Sequence, residues 1–313
     1  MVAAGLQAWS CSAFADTLYH GVRFDRRDFD LIQSGFLQEA LWGSSEAGNK
    51  QGHDLLEKEI EGILKRSPYT VVSADLGGAA PKAVLEFPGG IRAIFKPTGG
   101  EGLVGLPFYS CAGCEVAAYE FDRAFPLNIV PVTVPRSVAF RPGGGAEFGS
   151  VQYLFQRPLH SGEGRDTYSF IKMTFLDYVS GNSDRNSRSW NYWRDGHRVI
   201  ATDHGMAFRK GDFACEEFEG THFKGIFAVE RDPDSHLFKR GREISSVLRT
   251  IDPVLQDRIF AWLAEDLRKE LDFVSIHEGD LGRMTKRFRN IQRLLSNQES
   301  EIVQTCKIRY WKN

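Results

Sequence analysis

The sequence predicts an α+β fold in two lobes: a β-rich block carrying one helix, then a mostly helical block, with a helical extension in front. Three observations predict it. The hydrophobic period changes from helical to alternating around Pro68. Short β-type runs then dominate as far as Phe155, interrupted by one amphipathic stretch. Roughly the last hundred residues return to helical spacing. The expected boundaries are 1–66 for the extension, 67–158 for the β-rich lobe and 159–313 for the helical lobe.

The first element is a helix over Asp54 to Lys65, with Leu55, Leu56, Ile60, Ile63 and Leu64 on one stripe and Pro68 closing it. Tyr69-Thr70-Val71-Val72, Ala83 to Phe87 and Ile91 to Lys96 follow as strands. Pro88-Gly89-Gly90 is the hairpin turn between the last two. Cys114 to Phe125 is the amphipathic helix of this block. Asn128 to Pro135 runs extended, and Ser150 to Phe155 is another strand. Pro158 to Asp166 is a polar connector. Thr167 to Val179 is a strongly apolar helix, and a turn-rich stretch leads to a short strand over Arg198 to Thr202. Pro253 to Leu271 and Leu281 to Leu295 are the clearest helices of the remainder.

Composition limits the function. A length of 313 residues corresponds to roughly two domains, and 42% apolar with 26% charged residues excludes a mainly disordered chain. Thirty-nine basic against 41 acidic residues leave a net charge of −2, so no nucleic-acid partner is expected. No run of 18 apolar residues predicts a membrane span. The stretch Leu6 to Leu18 is interrupted by Gln7, Ser10, Ser12 and Asp16 and makes a poor signal peptide. Five scattered cysteines argue for a reducing compartment, so a cytoplasmic location is the expectation.

Four segments carry chemistry. Leu76-Gly77-Gly78-Ala79-Ala80 lies between two strands, where small residues let backbone N–H groups approach a phosphate, although most such loops are merely turns. Lys96 closes an apolar strand on the same face as Ile94. Glu115 opens the following helix, and a strand Lys with a helix Glu can form an ion pair that points the Lys at phosphates. Glu120 competes for that role from another face of the helix. Ser180-Gly181-Asn182-Ser183-Asp184-Arg185-Asn186 is a tight polar turn holding a carboxylate. Val199-Ile200-Ala201-Thr202-Asp203-His204-Gly205 is a strand delivering a second one. Two carboxylates on adjacent loops suit Mg²⁺, which takes one or two of them plus substrate phosphates.

In this order the segments resemble the protein-kinase-like superfamily, specifically its atypical branch: the phosphatidylinositol 3-/4-kinase-like families, actin-fragmin kinase and HipA-like kinases. Gly181 to Asn186 looks like that branch's catalytic turn. Thr202 to Phe208 resembles its metal-binding segment, Phe95-Lys96-Pro97 its nucleotide lysine, and Glu115 to Arg136 its paired-Glu helix with the strand after it. The resemblance covers about residues 69–296; residues 1–66 match no family pattern. It implies a two-lobed kinase-like fold that binds ATP with Mg²⁺, or Mn²⁺ in its place.

Under the resemblance, Asp184 would orient or deprotonate an acceptor hydroxyl, and Asp203 would hold the metal. Lys96, oriented by Glu115, would grip the phosphates, with Gly77, Gly78, Tyr153 and Phe155 as further nucleotide contacts. The family places a metal-binding Asn five residues after the catalytic Asp. Here that position is Ser189, and Asn186 and Asn191 are the alternative ligands. A penalty of about 3 kcal/mol there would slow turnover about a hundredfold and leave a kinase. The acidic stretch Glu216-Glu217-Phe218-Glu219 after the metal segment favours a protein Ser/Thr acceptor over a phosphoinositide. A phosphatidylinositol kinase, a nucleotide-binding pseudokinase or scaffold, and an AMP-transferase on the same frame are the alternatives.

Other signals stand aside. Gly100 to Gly105 matches G-x-G-x-x-G, but Pro107 follows and no helix opens there. Cys111-Ala112-Gly113-Cys114 has no second ligand pair nearby for zinc. His204 reads as a packing or hydrogen-bonding residue rather than a base. Arg283, Lys286, Arg287, Arg289 and Arg293 give the last helix a basic face, read as a docked surface helix, with a membrane-surface or partner helix as the sharper option.

Overall fold

In the computed structural model, residues 50–74, 81–98, 112–154, 167–182, 190–192, 199–205, 207–208, 248–271, 275–276 and 278–296 are described, together with short strands at 18–19 and 22–23. They fall into two compact units. One holds residues 1–105 and 132–158, the other 106–131 and 159–313.

The first unit is built on an antiparallel five-stranded sheet. Its strands are β3 (Thr70–Ala74), β4 (Ala83–Glu86), β5 (Arg92–Pro97), β6 (Thr133–Val138) and β7 (Glu147–Tyr153), in the order β3-β4-β5-β7-β6. A small hairpin, β1 (Leu18–Tyr19) with β2 (Val22–Arg23), precedes them in a region expected to be helical. Helix α1 (Lys50–Arg66) turns Ile60 and Leu64, both buried, toward the sheet's core face with Leu85, Phe95, Val134 and Val151. Arg136 caps this helix: Nη1 donates to Leu64 O at 2.6 Å and Nη2 to Ser67 O at 2.8 Å. Its guanidinium lies 4.9 Å from the Tyr69 ring centre, so a cation meets an aromatic face while it satisfies orphan helix carbonyls.

Two strand residues define how tightly the sheet is drawn. Pro135 is tolerated because β6 is an edge strand; Tyr153 N donates to Val132 O three residues earlier, and the alternation of an antiparallel ladder from that pair turns the Pro135 nitrogen outward. Gly149 is required by close approach. A Cβ there would run into the Lys96 carbonyl oxygen and stand 2.7 Å from the Phe95 ring.

The second unit contains α2 (Ala112–Ala124), α3 (Thr167–Ser180), the hairpin β8 (Trp190–Tyr192) with β9 (Val199–Ala201), α4 (Pro253–Leu263), α5 (Asp266–Glu270) and α6 (Glu278–Leu295). Its core is a cluster of rings. Phe121 stacks on Phe125 at 4.4 Å, Phe125 on Phe288 at 5.2 Å, and Phe175 and Trp262 lie within about 6 Å of Phe288. All five are fully buried, and each contributes about 1.5–3 kcal/mol by leaving water. No helix among the described residues is long and apolar enough to cross a membrane.

The expected helix Pro253 to Leu271 is two helices. Asp252 caps α4 by accepting from Leu255 N at 3.1 Å, and Pro253 takes the first turn. The helix then breaks at Glu265, which is left-handed at φ 68°. The break seats Leu267 in the core and brings the Arg268 guanidinium 5.4 Å from the Trp262 ring centre. Strand β8 falls in the stretch expected to be turn-rich, because three residues are too few to display a period.

Candidate active site

Strand register decides which residues share a face with Lys96. Lys96 pairs with Ser150, Ile94 with Gln152, and Gln152 in turn with Thr133. These residues therefore lie on one face, while Ala93, Phe95 and Val151 lie on the other. Gln152 Nε2 donates to Thr133 Oγ1 at 2.9 Å, and both are buried. Ser150 is 1% exposed, and its Oγ finds no hydrogen-bond partner among the described residues. Lys96 thus shares its face of the sheet with the buried polar side chains of Ser150, Gln152 and Thr133.

Tyr153 pairs with Ala93 and falls on the face opposite Lys96. Burial there pushes its hydroxyl up to about 12. The residue of β7 that shares the Lys96 face near the strand end is Gln152.

Glu115 stands in the first turn of α2 and is 1% exposed. Its Oε2 accepts from the backbone N–H of His204 at 2.9 Å and lies 3.8 Å from His204 Nδ1. The carboxylate of the helix is thereby fastened to the residue after Asp203. Asp203 itself adopts φ 62°, a left-handed backbone that is uncommon outside glycine and costs of order 1–3 kcal/mol. Strain of that kind persists only where the surroundings hold it. Here Ala207 N donates to His204 O and Phe208 N to Ser180 O, both at 2.8 Å, while Ala201 N donates to Ile129 O.

The segment that supplies the Ile129 carbonyl is itself pinned. Asp122, 3% exposed, accepts from the backbone N–H groups of Asn128 at 2.6 Å, Ile129 at 2.8 Å and Val130 at 2.6 Å. Lys172 Nζ donates to Leu127 O at 2.9 Å. Burial pushes the Asp122 carboxyl up to about 6, against the three N–H groups and the Lys172 charge, which pull it down.

Helix α3 ends in the turn that leads to Asp184. Gly181 is left-handed at φ 69°. Asn182 is buried and held twice by Asp177: its N–H donates to Asp177 O at 2.9 Å and its Nδ2 to Asp177 Oδ1 at 3.0 Å. Asp184, Asn186, Ser189, Gly77, Gly78 and Phe155 lie outside the described residues. Asn191 lies on β8 and pairs with Ile200 of β9, the strand that delivers Asp203.

The donors on this segment are hard oxygens. Among the described residues no three His, Cys, Asp or Glu side chains gather as a metal cluster. Mg²⁺ and Mn²⁺ do not require one, since phosphate oxygens and water complete their shell. The Asp203 carboxylate is of the type such an ion takes.

One unit ties a helix carboxylate to a strand-end Asp segment, and the other holds a five-stranded sheet ordered β3-β4-β5-β7-β6. The fold is protein-kinase-like. The chain is similar to the Golgi casein kinase, with a TM-score of 0.50 and 16% identity over 87% of either chain. It is also similar to the structure of the Golgi casein kinase with Mn/ADP bound, at 0.50 and 15% over 86% of each. The match to the hydra Fam20 structure with sugar covers 82% of this chain and 92% of that one, at 0.49 and 13%. No family model matches the sequence, and no curated protein does.

Sequence reasoning does not single out Asp122 or Asp177. Their partners, the N–H groups of Asn128 to Val130 and the Asn182 side chain, come into reach only in the fold.

Proposed function

We propose that the chain is an atypical kinase, transferring the γ-phosphoryl group of ATP to a hydroxyl with Mg²⁺ or Mn²⁺. The observation that carries this reading is the Glu115–His204 bond, which joins the helix carboxylate to the segment of Asp203 inside one buried unit. The kinase-like fold supports it, as does the Mn/ADP bound by the similar Golgi casein kinase structure.

In this reading Lys96, oriented by Glu115, neutralises phosphate charge, with backbone N–H groups near Gly77 and Gly78 beside it. Asp184 accepts the proton of the acceptor hydroxyl or orients it for in-line attack. Asp203 would hold the metal with Asn186, Ser189 or Asn191, and the ion would supply charge neutralisation on the phosphate oxygens. The chain's own contribution is positioning and electrostatics. The acceptor is a protein Ser/Thr hydroxyl; the acidic Glu216-Glu217-Phe218-Glu219 would repel the phosphates of a phosphoinositide headgroup. Ser189, where the family carries Asn, favours a second reading: a pseudokinase that holds nucleotide without transfer.

The test is incubation with Mg²⁺ and ATP labelled at the γ- or the α-phosphate, beside an Asp203→Ala control and panels of protein and phosphoinositide acceptors. Label from γ-ATP on protein, lost in the control, is expected. Label on lipid would make it a phosphoinositide kinase, and label from α-ATP would make it an AMP-transferase. Nucleotide binding without transfer would favour the pseudokinase, and no nucleotide binding would end the reading.

A further inference from the structure

Helix α6 meets the end of α3. Arg287, midway along α6, donates from Nη1 to Val179 O at 2.8 Å. Val179 belongs to the last turn of α3, whose carbonyls have no partner within the helix. A guanidinium there gives a charge-assisted bond and complements the negative end of the helix dipole. The same guanidinium packs on Gly181, where a Cβ would stand 2.6 Å from Nη2 and 2.8 Å from Nη1. One turn further along α6, Asn290 Nδ2 donates to the Tyr178 hydroxyl at 3.3 Å. Arg287 is therefore wedged between the helix end and the first residue of the turn. By spacing alone it groups with a basic outer face, but its guanidinium points inward to α3.

Within the turn, Asn182 Nδ2 donates to Asp177 Oδ1. The next residue of α6, Phe288, stacks on Phe121 at 6.4 Å and on Phe125 at 5.2 Å, neighbours on and just after the helix that carries Glu115. One helix thus touches the turn leading to Asp184 and the helix bearing Glu115.

We infer that Arg287 is a positioning residue of the phosphotransfer site, fixing the Gly181–Asn182 turn beside Ser180, whose carbonyl accepts from Phe208 N at 2.8 Å in the segment that follows Asp203. The inference rests on the kinase reading. A matched control exists, because Arg249 Nη1 makes the same kind of bond to Leu294 O, at the far end of α6.

The experiment compares Arg287→Lys and Arg287→Gln with Arg249→Lys in the full-length protein. It measures kcat, KM for ATP and amide exchange at Gly181 and Asn182. Both Arg287 variants are expected to lower kcat by roughly ten- to a hundredfold, with KM for ATP within about twofold. Exchange at the two amides should quicken, and millimolar guanidinium should restore part of the lost rate in Arg287→Gln. Arg249→Lys should leave kcat within about twofold of wild type. Equal effects at Arg287 and Arg249, or kcat and KM moving together, would overturn the inference. If the wild-type protein transfers no phosphate, the kinase reading falls. The exchange data then judge the hold on the turn alone: faster exchange supports it, and unchanged exchange overturns it.

Discussion

The carboxylate of Glu115 holds the backbone N–H of His204 at 2.9 Å across 89 residues of sequence, with both residues withdrawn from water. A buried main-chain donor left without its acceptor costs about 1–3 kcal/mol. Glu115→Ala should therefore lower unfolding free energy by about that amount in denaturant titration. Glu115→Gln, which keeps an acceptor oxygen, should recover most of it. Equal losses in the two variants would mean that the carboxylate charge, and not the hydrogen bond, carries the effect.

Asp122 makes stability depend on pH. Its folded value of about 6 lies above the ordinary 3.8, so the folded chain binds this proton more tightly than the unfolded chain does. The contribution is complete below about pH 4 and is lost as pH rises through about 6. At about 1.36 kcal/mol per unit, the full swing is about 3 kcal/mol. Subtracting the stability profile of Asp122→Asn from that of wild type should isolate it. A flat difference between about pH 4 and about pH 7 would count against the assignment.

Ser150→Ala removes a buried hydroxyl that has no partner among the described residues. Loss of an unsatisfied polar group is neutral or stabilising, so thermal unfolding should stay level or improve by up to about 1 kcal/mol. A clear destabilisation would reveal a partner for the hydroxyl.

Gly149→Ala should behave in the opposite way. The added methyl meets main chain at Lys96 and Pro97, which cannot swing aside as a flexible side chain would. A loss of roughly 3 kcal/mol or an insoluble product is expected. Wild-type stability would show that β5 and β7 can separate at little cost.

Phe288→Ala empties the centre of the ring cluster. Truncation of a fully buried Phe costs about 3–5 kcal/mol, read from the denaturation midpoint. A loss under about 1 kcal/mol would mean that the neighbouring rings close the gap.

What is legible in the sequence follows from distance along the chain. Strands β3 to β5, helix α3 and the Lys, Glu and Asp of the three nearby motifs can be read from local pattern and resemblance. Which face of β7 Tyr153 takes cannot, because strand alternation is known only once the register is, and a shift of one residue exchanges the faces. The break at Glu265 is hidden because Pro253 to Leu271 keeps an apolar period through it; the gain comes from Arg268 reaching Trp262 and Thr285. Arg287 looks like one more surface charge, since its partner Val179 lies 108 residues away.

The division of the chain has a practical consequence. The polypeptide passes from one unit to the other after residue 105, returns at 132 and departs again after 158. Neither unit is a single stretch of chain, so no one cut yields either of them whole. A truncated chain ending at 158 would carry α2 without α3 and α6, exposing Phe121 and Phe125, and should be collected from the insoluble fraction. Isolating the sheet unit calls for excision of 106–131 and a linker joining 105 to 132. For the same reason, a protease nick within 106–131 should leave the two fragments associated under native conditions, because β5 on one fragment pairs with β7 on the other.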